Sequence, residues 1–119
     1  SILKREARGP FVISNVGEIS NVDALSQAAD DLLGLEGTTA VVVYAQRGTV
    51  TYIKGRSRDD RVHMGDTLQA ALAEIPEASA GGKPQAGAGQ INANTKKQNR
   101  EYCKELPELL FTAMSGEVQ

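Results

Sequence analysis

Two hydrophobic periods alternate along this chain and mark out its elements. Phe11-Val12-Ile13-Ser14-Asn15-Val16 is a β-branched run opened by Gly9-Pro10, which predicts a strand. Val22, Leu25, Ala29, Leu32 and Leu33 then recur at helical spacing, with Asp23, Asp30 and Asp31 off that face. Asn21 is placed to cap this helix, and Gly34 and Gly37 to end it. Thr38 to Ala45 carries the strongest strand pattern, because Val41-Val42-Val43-Tyr44 predicts burial on both faces. Gln46-Arg47-Gly48 reads as a hairpin turn. The returning strand, Thr49 to Gly55, sets Thr49, Thr51 and Ile53 on one side and Val50, Tyr52 and Lys54 on the other. Met64, Leu68, Leu72 and Ile75 form the stripe of a second helix, which Pro76 stops.

The pattern then thins. Gly81-Gly82-Lys83-Pro84-Gln85-Ala86-Gly87-Ala88-Gly89 has almost no side chain to cover its backbone, and reads as a loop feeding a short strand over 88–93. Asn94-Thr95 opens a third helix with Lys96, Lys97, Arg100 and Lys104 outward. Pro107 is expected to break it, with a second helical piece beyond burying Leu109, Leu110, Ala113 and Met114. Residues 1–8 carry three basic side chains and one acid with little periodicity, so they read as a linker or the tail of an earlier helix. The resulting order, β-α-β-β-α-β-α, predicts an α/β fold with a mixed sheet of four to five strands flanked by helices.

Composition narrows the function classes. A chain of 119 residues makes one domain, and with two Phe, three Tyr and no Trp its core must be aliphatic. A net charge of −2 gives no global basic field, so any polyanion contact has to be local. There is no apolar run near the length of a membrane span, and Ser1–Arg8 has no apolar signal-peptide core. A single cysteine, Cys103, excludes an internal disulfide and suits a reducing, cytoplasmic setting. The start without Met inside a charged segment is expected of a piece of a longer protein.

Two clusters have chemistry suited to an anion. Lys54-Gly55-Arg56-Ser57-Arg58 ends a predicted strand with forked donors and a hydroxyl, although Asp59, Asp60 and Arg61 follow directly. The glycine segment tolerates close approach of main-chain N–H groups, with Lys83 in the same turn. It is neither a P-loop nor a dinucleotide fingerprint, because it lacks Gly-Lys-Ser/Thr and precedes a strand. His63 is the only histidine, and with one distant Cys it cannot build a zinc site; Asp66 reads as a helix first-turn residue. Cys103 reads as a helical core position, and Ser57 and His63 form no recognisable triad.

Together, Gly55-Arg56-Ser57-Arg58, the helix Met64-Gly65-Asp66-Thr67-Leu68-Gln69-Ala70-Ala71-Leu72 and Gly81-Gly82-Lys83-Pro84-Gln85-Ala86-Gly87-Ala88-Gly89-Gln90-Ile91 resemble the DHH-associated domain. That is the C-terminal partner of Asp-His-His phosphoesterases, and the likeness covers roughly residues 9 to 94. It implies that residues 1–8 lead from an N-terminal catalytic domain and that 9–119 form the substrate-binding domain. The catalytic domain would hold manganese. Arg56, Ser57 and Arg58 would contact phosphate, and Gly81, Gly82 and Lys83 would line the substrate. The implied partners are a nucleotide or short oligonucleotide, the catalytic domain of the same chain, and a second copy in a homodimer. One residue departs from the pattern: the family's loop reads Gly-Gly-His, and this chain has Lys83. Related domains also resemble the C-terminal part of alanyl-tRNA synthetases, which makes a non-catalytic RNA-binding or dimerisation module the alternative.

Overall fold

The strand marked as buried on both sides stands at the middle of the molecule. The computed structural model describes residues 4–116. Its elements are β1 (Lys4–Arg8), β2 (Phe11–Glu18), α1 (Asp23–Leu33), β3 (Ala40–Arg47), β4 (Val50–Ser57), α2 (Met64–Ala71), β5 (Ala78–Gly82), β6 (Ala86–Asn92) and α3 (Lys96–Ser115). The strands form one sheet in the order β1-β2-β3-β4-β6-β5. β2 and β3 are parallel, joined by the α1 crossover, and every other neighbouring pair is antiparallel.

Alternation along the central strands supplies two cores. On one face Val12, Val41, Val43 and Ala45 meet Leu25, Ala29 and Leu32 of α1. On the other, Ile13, Val42, Tyr44, Ile53 and Ile91 meet Met64 and Leu68 of α2 and Leu106, Leu110 and Met114 of α3. Each such aliphatic side chain contributes about 1.5–3 kcal/mol on burial. The cap position of α1 is Val22 rather than Asn21, and Asn21, one residue earlier, accepts the Asp23 N–H on its Oδ1 at 3.0 Å.

Three further expectations are corrected. The sheet has six strands rather than four or five, because β1 and β5 also pair. From Lys4 on, the supposed linker is β1, in register with β2 from Lys4↔Asn15 to Arg8↔Phe11; residues 1–3 lie outside the described residues. Arg5 to Arg8 are exposed, so β1 is held by its backbone ladder and not by an apolar face. At its end the Arg8 guanidinium bonds both oxygens of Glu108 (2.9 and 3.3 Å) and lies 4.4 Å over the Phe111 ring, tying the strand to α3.

The third correction concerns Pro107, which lies inside a continuous α3. A proline leaves the carbonyl four residues earlier without its helical donor. That carbonyl belongs to Cys103, and the buried Tyr44 hydroxyl of β3 donates to it at 3.3 Å. The helix therefore runs on, starting at a Thr95 cap whose Oγ1 accepts from the Gln98 N–H at 3.0 Å.

Candidate functional site

The period of two along β4 places Tyr52, Lys54 and Arg56 on the α1 side of the sheet, while Ile53, Gly55 and Ser57 turn to α2. Pairing carries this face onto β6 and β5. Tyr52 is opposite Gln90, which is opposite Ser79; Lys54 is opposite Ala88, which is opposite Gly81; Arg56 is opposite Ala86. α1 packs chiefly over β3 and β4, and Ala88 and Ser79 are exposed. The uncovered strip holds two adjoining hollows. One, of about 340 Å³, lies between Lys54, Arg56, Lys83 and the Gly81-Gly82 and Ala86-Gly87-Ala88 backbone. The other, of about 510 Å³, lies over Tyr52, Ser79 and Gln90, beside Val22. Lys54 and Ala88 line both, so they form one trough.

Of the residues singled out from the sequence, Arg56, Gly81, Gly82 and Lys83 meet in this trough. Arg56 is held in place there, with Nε 3.2 Å from Asp30 Oδ1 on α1 and Nη1 donating to its own neighbour's carbonyl, Gly55 O, at 2.9 Å. These bonds leave donors of the guanidinium fork over. Ser57 and Arg58 are not brought to it. Ser57 is buried, with its Oγ accepting from the Asp59 N–H and donating to the Asp59 carbonyl. Arg58 sends Nε and Nη2 to Thr38 O at 3.1 and 2.7 Å.

The glycine segment is a hairpin, β5–β6, rather than a loop, and its turn works with the opposite polarity from the one expected of it. Lys83 N–H donates to Ala86 O at 2.7 Å. The carbonyls of Lys83, Pro84 and Gln85 accept from the N–H groups of Gly65 (3.0 Å), Met64 (2.8 Å) and Ser57 (3.0 Å). The turn thus caps α2 and pins the end of β4. Such close approach demands glycine on both sides. A Cβ on Gly65 would stand 2.5 Å from Gly82 C, and Gly82 has φ +145°, where other residues are strained. The N-terminus of α2 is accordingly filled by protein groups, with His63 Nδ1 accepting from the Asp66 N–H at 3.1 Å. Anion attraction in the trough rests on the side chains of Lys54, Arg56 and Lys83.

The remaining candidates are accounted for structurally. Asp59 bonds the Arg61 guanidinium twice, at 3.1 Å each, and these bonds with that of the Arg61 N–H hold its carboxyl below the usual range. Among the described residues no group of three or more His, Cys, Asp and Glu side chains is placed to hold a metal ion, so the described residues do not by themselves fit a manganese site. Sequence reasoning missed one polar cluster, buried under α3 at the other end of β4. There the Thr51 hydroxyl donates to Asn99 Oδ1 and lies 3.3 Å from Cys103 Sγ, to which Gln46 Nε2 donates at 3.1 Å. Burial pushes the Cys103 thiol pKa up, away from nucleophilic character. No described helix is long and apolar enough to cross a membrane.

Comparison with known proteins places this architecture. The DHHA1 domain profile matches residues 8–110. An uncharacterised protein of Methanocaldococcus jannaschii is 33% identical over 117 residues, covering 97% of this chain. The chain spans 23% of that relative's length. The C-Ala domain of Aquifex aeolicus alanyl-tRNA synthetase superposes with a TM-score of 0.59 at 18% identity, over 87% of this chain and 96% of that one. An exopolyphosphatase-related protein from Bacteroides fragilis gives 0.55 at 13%, over 88% of this chain and 32% of that one. These two likenesses concern the fold.

Proposed function

Since this chain belongs to the DHHA1 domain family, we propose that it is the substrate-gripping module of a phosphoesterase, holding the phosphate of a nucleotide or short oligonucleotide in the trough. The observation that carries this reading is the convergence of Lys54, Arg56 and Lys83 on a floor of glycine and alanine. Small floor residues let a ligand lie close to the sheet, and Arg56 arrives with its guanidinium already oriented by Asp30 and Gly55. The bond-cleaving apparatus, including manganese, belongs in this reading to a separate DHH domain. The chain's own contribution is binding and orientation. A ligand phosphate competes with the exposed Asp30 carboxylate for Arg56, so affinity is expected to rise in Asp30→Asn.

Amide NMR titration of the chain with tripolyphosphate and with 5′-phosphorylated diadenosine tests the reading. Shifts are expected at Lys54–Arg56 and Gly81–Ala88, with at least tenfold weaker binding of both ligands in Arg56→Gln, as for loss of a charge-assisted bond. Unchanged affinity in that variant refutes it. The exposed bases of α3, Lys96, Lys97, Arg100 and Lys104, favour a second reading, RNA binding on that helix. It predicts shifts along α3 and a steep loss of affinity with salt, against a shallow dependence for one phosphate. Glu101 and Glu105 interrupt that surface and weaken its claim.

A further inference from the structure

We propose that the larger hollow of the trough is a nucleobase subsite, in which Tyr52 stacks a base and Gln90 and Ser79 meet its polar edge. This rests on the phosphate-binding reading above, which places only the phosphate of the nucleotide, and adds where its base is held. The sheet register sets out a chemical gradient in three rows. Arg56 and Ala86 form the first, Lys54, Ala88 and Gly81 the second, and Tyr52, Gln90 and Ser79 the third. Successive rows are about 6.7 Å apart along a strand. The first two rows offer cations over a bare floor. The third offers an aromatic ring, an amide and a hydroxyl, the groups that stack on a base and hydrogen-bond its edge.

The hollow over this row, about 510 Å³, lies in the range of small-ligand pockets. Tyr52 is only half-buried, packed on one side against the α1 core and lining the hollow on the other. The Gln90 amide is steadied by a bond from Nε2 to Asn92 Oδ1 at 2.8 Å. A ligand made of phosphate alone leaves this row unused. Lys54, which lines both hollows, marks where the phosphate end gives way to the base end.

The test compares two probes, 5′-phosphorylated diadenosine and tripolyphosphate, on the same variants. Tyr52→Leu keeps apolar bulk against α1 but removes the π face. It is expected to weaken the dinucleotide about tenfold, the usual cost of one stacked base, while leaving tripolyphosphate affinity unchanged. Tyr52→Phe is expected to bind both probes as the parent chain does. Gln90→Ala, on a strand surface, is expected to weaken the dinucleotide several-fold and spare tripolyphosphate, and it serves should Tyr52→Leu not fold. Equal loss of both probes, or no loss of either, in Tyr52→Leu and Gln90→Ala overturns the base subsite. If Arg56→Gln still weakens both probes in that case, the phosphate reading stands and only the base subsite falls. If Arg56→Gln also changes nothing, both fall together.

Discussion

Replacing Gly65 with alanine sets helix propensity against packing, and the structure decides which wins. Alanine at a helical position is favoured over glycine by about 1 kcal/mol. Here its Cβ would stand 2.5 Å from the carbonyl carbon and 2.8 Å from the nitrogen of Gly82, both backbone atoms that cannot rotate away. Ordinary carbon contacts need about 3.5 Å or more, so α2 must lift by about 1 Å. Overpacking of this kind costs about 1–3 kcal/mol. Lifting also stretches the bonds from Met64 and Gly65 N–H to Pro84 O and Lys83 O, each contributing about 0.5–1.5 kcal/mol. The balance is a loss of about 3 kcal/mol, or a Tm lower by about 12 °C for a domain of this size. Urea unfolding gives the magnitude, and amide exchange at Met64 and at position 65 locates it. An unchanged or raised midpoint for Gly65→Ala refutes the argument that this contact dictates glycine.

Further outcomes follow from the same geometry. Tyr44→Phe removes the donor to Cys103 O and is expected to cost about 1–2 kcal/mol. In a Pro107→Ala background the helix supplies its own N–H to that carbonyl, so the cost should shrink, giving a coupling near 1 kcal/mol in a double-mutant cycle. Additive effects would mean that the hydroxyl does not replace the missing helical bond. Burial raises the Tyr44 pKa above its ordinary value near 10. The folded state thus keeps its proton where the unfolded chain loses it, so stability is full below about pH 10 and falls above it. Tyr44→Phe should lessen that alkaline fall in urea midpoints measured against pH. His63→Ala deletes the side-chain cap of α2 and is expected to cost about 1 kcal/mol, which His63→Asn restores; equal losses in the two variants would deny the cap.

The central elements were legible because their signal is periodic and local. Val41 to Tyr44 announce a strand covered on both faces, and Leu25, Ala29 and Leu32 announce the helix that covers one of them. β1 escaped notice because Arg5 to Arg8 stay exposed, so no side-chain alternation records its pairing. β5 escaped because Ala78 to Gly82 contain no β-branched residue. The continuity of α3 past Pro107 depends on a tyrosine from β3, far away in sequence. The candidate site divides along the same line. Lys54, Arg56 and Lys83 were found from their residue types, but Tyr52 and Gln90 join them only through strand register. The sequence cannot show that Ser57 turns inward to the Asp59 backbone, or that Arg58, though exposed, is drawn to the Thr38 carbonyl.

The turn at Lys83 has an evolutionary consequence. Its backbone is fixed from both directions, with the N–H given to Ala86 and the carbonyl taken by Gly65, while its side chain is exposed at the trough. Neither bond consults the side chain. Position 83 therefore acts as an interchangeable socket on a rigid mount. A lineage can exchange lysine for histidine there and alter the charge and hydrogen bonding presented at the trough, while the scaffold changes by no more than about 0.5 kcal/mol, as at other exposed positions. Ligand preference in such a module can drift faster than its architecture, and a single codon is enough to begin.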